Sequence, residues 1–162
     1  MAASALSQFS LHHFSVSVPD IDAAIAWYGD IFGFNLEARF DIEAIPAQGA
    51  FMRAGALRLE LWQAAGGALV PDARKEPNSD LRSGGTKHVA FMVNGLQRQL
   101  VELVRRGVDI AAVQRDPQQP MQHDADPASD SKPPAFAAFI RDPAGTLIEL
   151  LDAAMVARVL PP

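Results

Sequence analysis

The chain contains one short pattern twice. Residues 13–18 read His-Phe-Ser-Val-Ser-Val, and residues 88–93 read His-Val-Ala-Phe-Met-Val. Each run precedes a helical pattern. Each half then carries a glutamate between apolar neighbours: Glu60 between Leu59 and Leu61, Glu149 between Ile148 and Leu150. A shift of 75 positions lays His13 on His88 and Val18 on Val93, and a shift of 89 lays Glu60 on Glu149. The polar segment 116–134 of the second half absorbs the difference of 14 residues. Such a repeat constrains the fold strongly, because the same piece of structure has to be built twice.

The elements follow from periodicity. Residues 11–18 alternate, with Phe14, Val16 and Val18 on one face and His13, Ser15 and Ser17 on the other, as in a half-buried strand. The same alternation puts His12 on the Phe14 face, where it reads as structural. Asp20 is a candidate N-cap, Ile21, Ala24, Ile25, Tyr28, Ile31 and Phe32 follow at helical spacing, and Gly33 is a natural stop. Strands are expected over 34–42, 49–53 and 57–63. Segment 64–85 is a connector broken by Gly66-Gly67, Pro71, Pro77 and Gly84-Gly85. The pattern restarts with a strand over 86–93, a helix carrying Leu96, Leu100, Leu103 and Val104, and strands over 108–114, 135–141 and 146–151. Asp142-Pro143-Ala144-Gly145 is a turn, 116–134 is an exposed loop holding a solvated His123, and 153–162 suits a short terminal helix. The order strand, helix, strand, strand, strand therefore occurs twice, in one domain spanning 1–162 with modules at about 11–63 and 86–152.

Composition narrows the function. A net charge of −5 with scattered basic residues speaks against nucleic acid, and the apolar runs are too short to span a membrane. The chain has no cysteine, hence no disulfide, thiolate ligand or cysteine nucleophile, and residues 1–10 lack the pattern of a secretory signal. Both points fit a cytoplasmic protein. The histidine and glutamate of each half lie opposite the face that packs on the helix. Burying two carboxylates together is costly without a cation. Nitrogen and oxygen donors without thiolate suit one divalent Ni, Co, Mn, Fe(II) or Zn ion, which makes His13, Glu60, His88 and Glu149 candidate metal ligands.

These residues also resemble a known family. His13 to Phe34, with His, Val-Pro-Asp and Trp-Tyr…Phe-Gly-Phe, is similar to the opening of the vicinal oxygen chelate superfamily, which includes glyoxalase I, bleomycin- and fosfomycin-resistance proteins and extradiol dioxygenases. Thr86 to Phe91 and Phe139 to Leu150 resemble its second-half signatures, so the likeness covers about residues 11–152. It implies an α+β fold of two tandem βαβββ modules, with curved mixed sheets around a central metal cavity, and commonly a homodimer. It maps His13, Glu60, His88 and Glu149 in order onto the four ligands of glyoxalase I.

The implied activity is that of a metal-dependent lyase or isomerase on a small carbonyl or thioester substrate. Glu149, partnered by Glu60, would abstract and return a proton while the cation stabilises an enediolate. The subset His13, His88 and Glu149 also matches the pattern of an Fe(II) extradiol-type dioxygenase. An antibiotic-resistance or small-molecule-binding protein is the further alternative. Bacterial glyoxalase I holds glutathione with an arginine four residues after the first histidine and an asparagine four after the second ligand; this chain has Ser17 and Ala64 there. Arg58 and Trp62 share a strand face with Glu60 and are candidates to meet substrate. Arg74, Lys75, Arg82 and Lys87 of the connector region read as solvated charges.

Overall fold

The computed structural model describes residues 10–160. The reading of residues 1–10 as lacking a secretory signal lies, apart from Ser10, outside them, as do the last two residues of the expected terminal helix. The chain divides into two compact units, residues 1–67 and 68–162.

The first unit contains β1 (Phe14–Ser17), α1 (Ile21–Phe32), β2 (Asn35–Ile42), β3 (Ile45–Ala54) and β4 (Leu57–Ala64). Its strands form one sheet in the order β1-β4-β3-β2. The β1–β4 pair is parallel, and the other pairs are antiparallel. Parallel neighbours cannot be joined by a tight turn, and here α1 and the β2–β3 hairpin fill the excursion between them. Helix α1 starts where Asp20 accepts from the Ala23 N–H, 3.0 Å away. It ends at Gly33, whose φ of 71° suits a residue without Cβ. Ile21, Ala24 and Tyr28 are buried, as are Val16, Ala50, Met52, Leu59 and Leu61 of the sheet on which α1 packs. Burying each of the larger apolar side chains stabilises the unit by about 1.5–3 kcal/mol.

The second unit repeats the plan. It contains β5 (Val89–Val93), α2 (Leu96–Arg105), β6 (Asp109–Gln114), β7 (Ala137–Arg141), β8 (Leu147–Asp152) and a closing helix α3 (Ala153–Val159). The sheet order is β5-β8-β7-β6, again with the first pair parallel and the others antiparallel. Leu96, Leu100 and Leu103 of α2 are buried, and so are Ile140, Ile148 and Leu150. The α+β class and the doubled βαβββ order agree with the sequence. Val104, expected on the buried face, is 43% exposed, because the apolar stripe of α2 is narrower than the run of apolar residues suggests.

The connector belongs largely to the second unit. A 3-10 turn covers Asp72–Arg74, and the Val70 N–H donates to the Ala144 carbonyl at 2.8 Å. Arg141 clamps the segment, donating to the Lys75 carbonyl at 2.8 Å and to Glu76 at 2.5 Å. The 116–134 loop is also pinned, which the sequence reading of an exposed loop missed. The Val113 and Gln122 backbones exchange hydrogen bonds of 2.8 and 3.0 Å, and the Gln97 side chain donates to the carbonyls of Pro127 and Ser129. Among the described residues no helix is long and apolar enough to cross a membrane.

Candidate metal centre

Sheet register places the repeated residues. In the first unit Ser15 lies beside Glu60, and His13 directly precedes β1. Leu59 and Leu61 point to the helix and are fully buried, whereas Arg58, Glu60 and Trp62 alternate onto the other face. His13 Nε2 stands 3.4 Å from Glu60 Oε2. In the second unit Ala90 lies beside Glu149, and His88 Nε2 stands 3.2 Å from Glu149 Oε2. The two glutamate side chains are only 14% and 18% exposed. Among the described residues each has its histidine as sole ion-pair partner.

The structure thus brings His13 to Glu60 and His88 to Glu149. Among the described residues it gathers no group of three or more metal-ligating side chains. Each pair nonetheless suits a divalent ion. Two donors bound about 2.1 Å from one ion lie about 3.0–3.4 Å apart at octahedral to tetrahedral angles, and both pairs meet that spacing. In both, Nε2 is the nitrogen turned to the carboxylate, and the donor set is imidazole and carboxylate.

A phenylalanine backs each pair, and the sequence reading missed both. Phe51 is the register partner of Glu60 and meets the His13 ring edge-on at 5.5 Å. Phe139 is the register partner of Glu149 and meets the His88 ring edge-on at 4.9 Å. Their spacing of 88 residues is one short of the 89 that relates the glutamates, because the segment joining phenylalanine to glutamate is one residue longer in the second unit. In the first unit the aromatic surface continues from Phe51 through Phe40 to Trp62, at centroid distances of 5.1 and 5.2 Å. Gly49 makes this possible: a Cβ there would fall on the Phe40 ring. In the second unit Met121 of the long loop packs on Phe139, Leu147 and Ala111, so that loop reaches the face bearing Glu149.

His12 departs from expectation. Strand β1 begins only at Phe14, so no ladder imposes alternation on residue 12. His12 is exposed, turned to the side of His13 rather than to the core: the two Nδ1 atoms are 2.7 Å apart, and the His12 ring also meets Phe51. Arg58 does lie on the Glu60 face. Its Nε and NH2 form a fork on Glu37 at 2.7 and 2.9 Å, and NH1 meets His12 Nε2. This hydrogen bonding holds the Glu37 carboxyl below its ordinary value.

Three of the connector cations, Arg74, Lys75 and Lys87, are engaged locally. Arg74 and Lys87 pair with Asp80, and Lys75 with Asp72. His123 is exposed and lines a cavity of about 430 Å3 with Arg115, Asp124 and Lys132. A second cavity, of about 460 Å3, lies by the β2–β3 hairpin. Neither is lined by His13, Glu60, His88 or Glu149.

Comparison with known proteins adds the following. A family model described as the glyoxalase/bleomycin resistance protein/dioxygenase superfamily matches residues 12–125, a stretch that holds three of the four candidate ligands. No curated protein matches the chain. Among solved structures, the trypanothione-dependent glyoxalase I of Leishmania major is 20% identical with a TM-score of 0.61, over 91% of this chain and 88% of that one. The genomically encoded fosfomycin resistance protein FosX of Listeria monocytogenes is 13% identical with a TM-score of 0.58, over 93% and 96%. A mutant of that protein complexed with Mn(II) and 1S,2S-dihydroxypropylphosphonic acid is 14% identical with a TM-score of 0.57, over 93% and 97%. At these identities the likeness concerns the fold.

Proposed function

Because the chain belongs to the glyoxalase/bleomycin resistance protein/dioxygenase superfamily, we propose that it is a metal-dependent lyase or isomerase acting on a small carbonyl or thioester compound. The observation that carries this reading is the doubled His–Glu pair, with Nε2 and Oε2 3.4 Å apart in one unit and 3.2 Å in the other. His13, Glu60, His88 and Glu149 would hold one divalent ion of Ni, Co, Mn, Fe or Zn, and the complex of the Listeria relative with Mn(II) supports a metal of this kind. When bound, the ion would act as a Lewis acid, stabilising negative charge that develops on a substrate oxygen.

The chain's own residues would do the rest. Glu149 takes the proton from the carbon next to the substrate carbonyl and returns it to the neighbouring carbon, with Glu60 as its partner. Trp62 and the Phe40–Phe51 surface offer an apolar wall, and Arg58 lies on the same face to meet an anionic group. Ser17 and Ala64 offer no cationic or amide grip on glutathione, so the substrate's recognition differs from that of bacterial glyoxalase I. The near-equal spacing of both pairs favours a four-residue ligand set over the three-residue set of an Fe(II) ring-cleaving enzyme. A cysteine-free chain fits a reducing cytoplasm, and a homodimer would suit the family.

Metal analysis tests the reading. Purified protein is expected to carry about one divalent ion per site and to lose it on His88→Ala. Hemithioacetal isomerisation, catechol oxygen uptake and fosfomycin opening assays then separate the reactions. Protein that binds none of the five metals and gains no thermal stability from them overturns the proposal.

A further inference from the structure

The hydrogen-bond chain that ends at His13 has a fixed direction. Arg58 carries donors only, so His12 Nε2, which NH1 of Arg58 meets, must accept. A neutral His12 then bears its proton on Nδ1 and donates to His13 Nδ1, 2.7 Å away. His13 in turn bears its proton on Nε2, the atom facing Glu60. A protonated Nε2 has no lone pair for a metal.

We propose that Arg58, acting through His12, holds His13 in the tautomer that does not bind metal, and that His12 is a positioning residue whose contact with Arg58 must open for the first pair to load. This rests on the proposed metal site. In the loaded state His13 Nε2 is a ligand, so Nδ1 carries the proton and donates to His12. The proton of His12 then sits on Nε2, where Arg58 offers another donor, and Arg58 NH1 has to leave. The fork from Nε and NH2 to Glu37 involves neither NH1 nor His12, so it survives the change. Opening therefore costs one hydrogen bond rather than an ion pair. The second half lacks the device. Lys87 replaces His12 there, its Nζ bonded to Asp80, and among the described residues no partner meets Nδ1 of His88.

Nitrogen-15 NMR of histidine-labelled, metal-free protein at roughly pH 8.5, where free imidazoles are neutral, reads the tautomers directly. The expected result is His12 as Nδ1–H and His13 as Nε2–H, with Arg58→Met returning His12 to the Nε2–H form. Chelator competition with zinc then reads affinity. Arg58→Met is expected to bind about 10-fold tighter than the parent, and to gain nothing in a His12→Phe background. His12 found as Nε2–H in the parent, equal zinc affinity in Arg58→Met, or the same gain without His12 overturns the proposal while leaving the metal site intact. Parent and variants alike failing to bind zinc overturns the functional reading and this proposal together.

Discussion

At Asp124 burial and pairing act in opposite directions. Burial pushes its carboxyl up, but hydrogen bonds from Lys132, Arg115 and the Asp126 N–H outweigh that and hold it at about 2, below the usual 3.8. A depressed carboxylate stabilises the fold above its unfolded value, and that contribution is lost as pH falls through the folded one. The 116–134 loop should therefore lose amide-exchange protection as pH drops from about 4 to about 2. Asp124→Asn should lack the protection at every pH and match the parent near the acid end. A loop whose protection is flat across that range would contradict the pairing. No local pattern announces this residue: it is one of several aspartates in a polar stretch, and its partners lie 9 and 8 residues away along the chain.

Among the elements, the two module helices are started by side chains from the last strand of their own sheet. The Ile21 N–H donates to Gln63 at 2.6 Å, and the Leu96 N–H to Asp152 at 2.9 Å. These residues obey the repeat: Ile21 and Leu96 are 75 apart, Gln63 and Asp152 are 89 apart. Asp152 also caps α3, accepting from the Ala154 and Met155 N–H groups. Its removal leaves a buried donor unpaired at α2 and uncaps α3. Asp152→Ala is expected to cost about 2–4 kcal/mol in urea unfolding. Asn, with one acceptor oxygen for two helix starts, should recover part of that, and Gln63→Ala, which strips a single N–H, should cost less. Equal losses for all three would show that the shared cap matters little. Asp20 was legible as a cap because it directly precedes its helix. Gln63 and Asp152 were not, because each lies at the far end of a module and is brought back only by parallel strand pairing.

For the whole molecule, one ion held as proposed by His13, Glu60, His88 and Glu149 would tie the stability of both halves to one binding event. Metal at a hundredfold excess over its Kd should stabilise the parent by about 2.7 kcal/mol. His13→Ala and His88→Ala should each abolish the rise in melting temperature, and the double substitution should lose no more of it. Additive partial losses would mean separate weak sites instead of one. The sequence by itself determined the doubled βαβββ order and the helix and strand faces. These follow from periods of two and 3.6 residues that the backbone imposes locally. Tertiary structure decided which side chains meet: Phe51 and Phe139 behind the histidines, His12 beside His13, Arg58 turned to Glu37, and the caps from β4 and β8. Those partners depend on strand register and on where a strand begins. Both arise from pairing between distant segments, which no local spacing encodes.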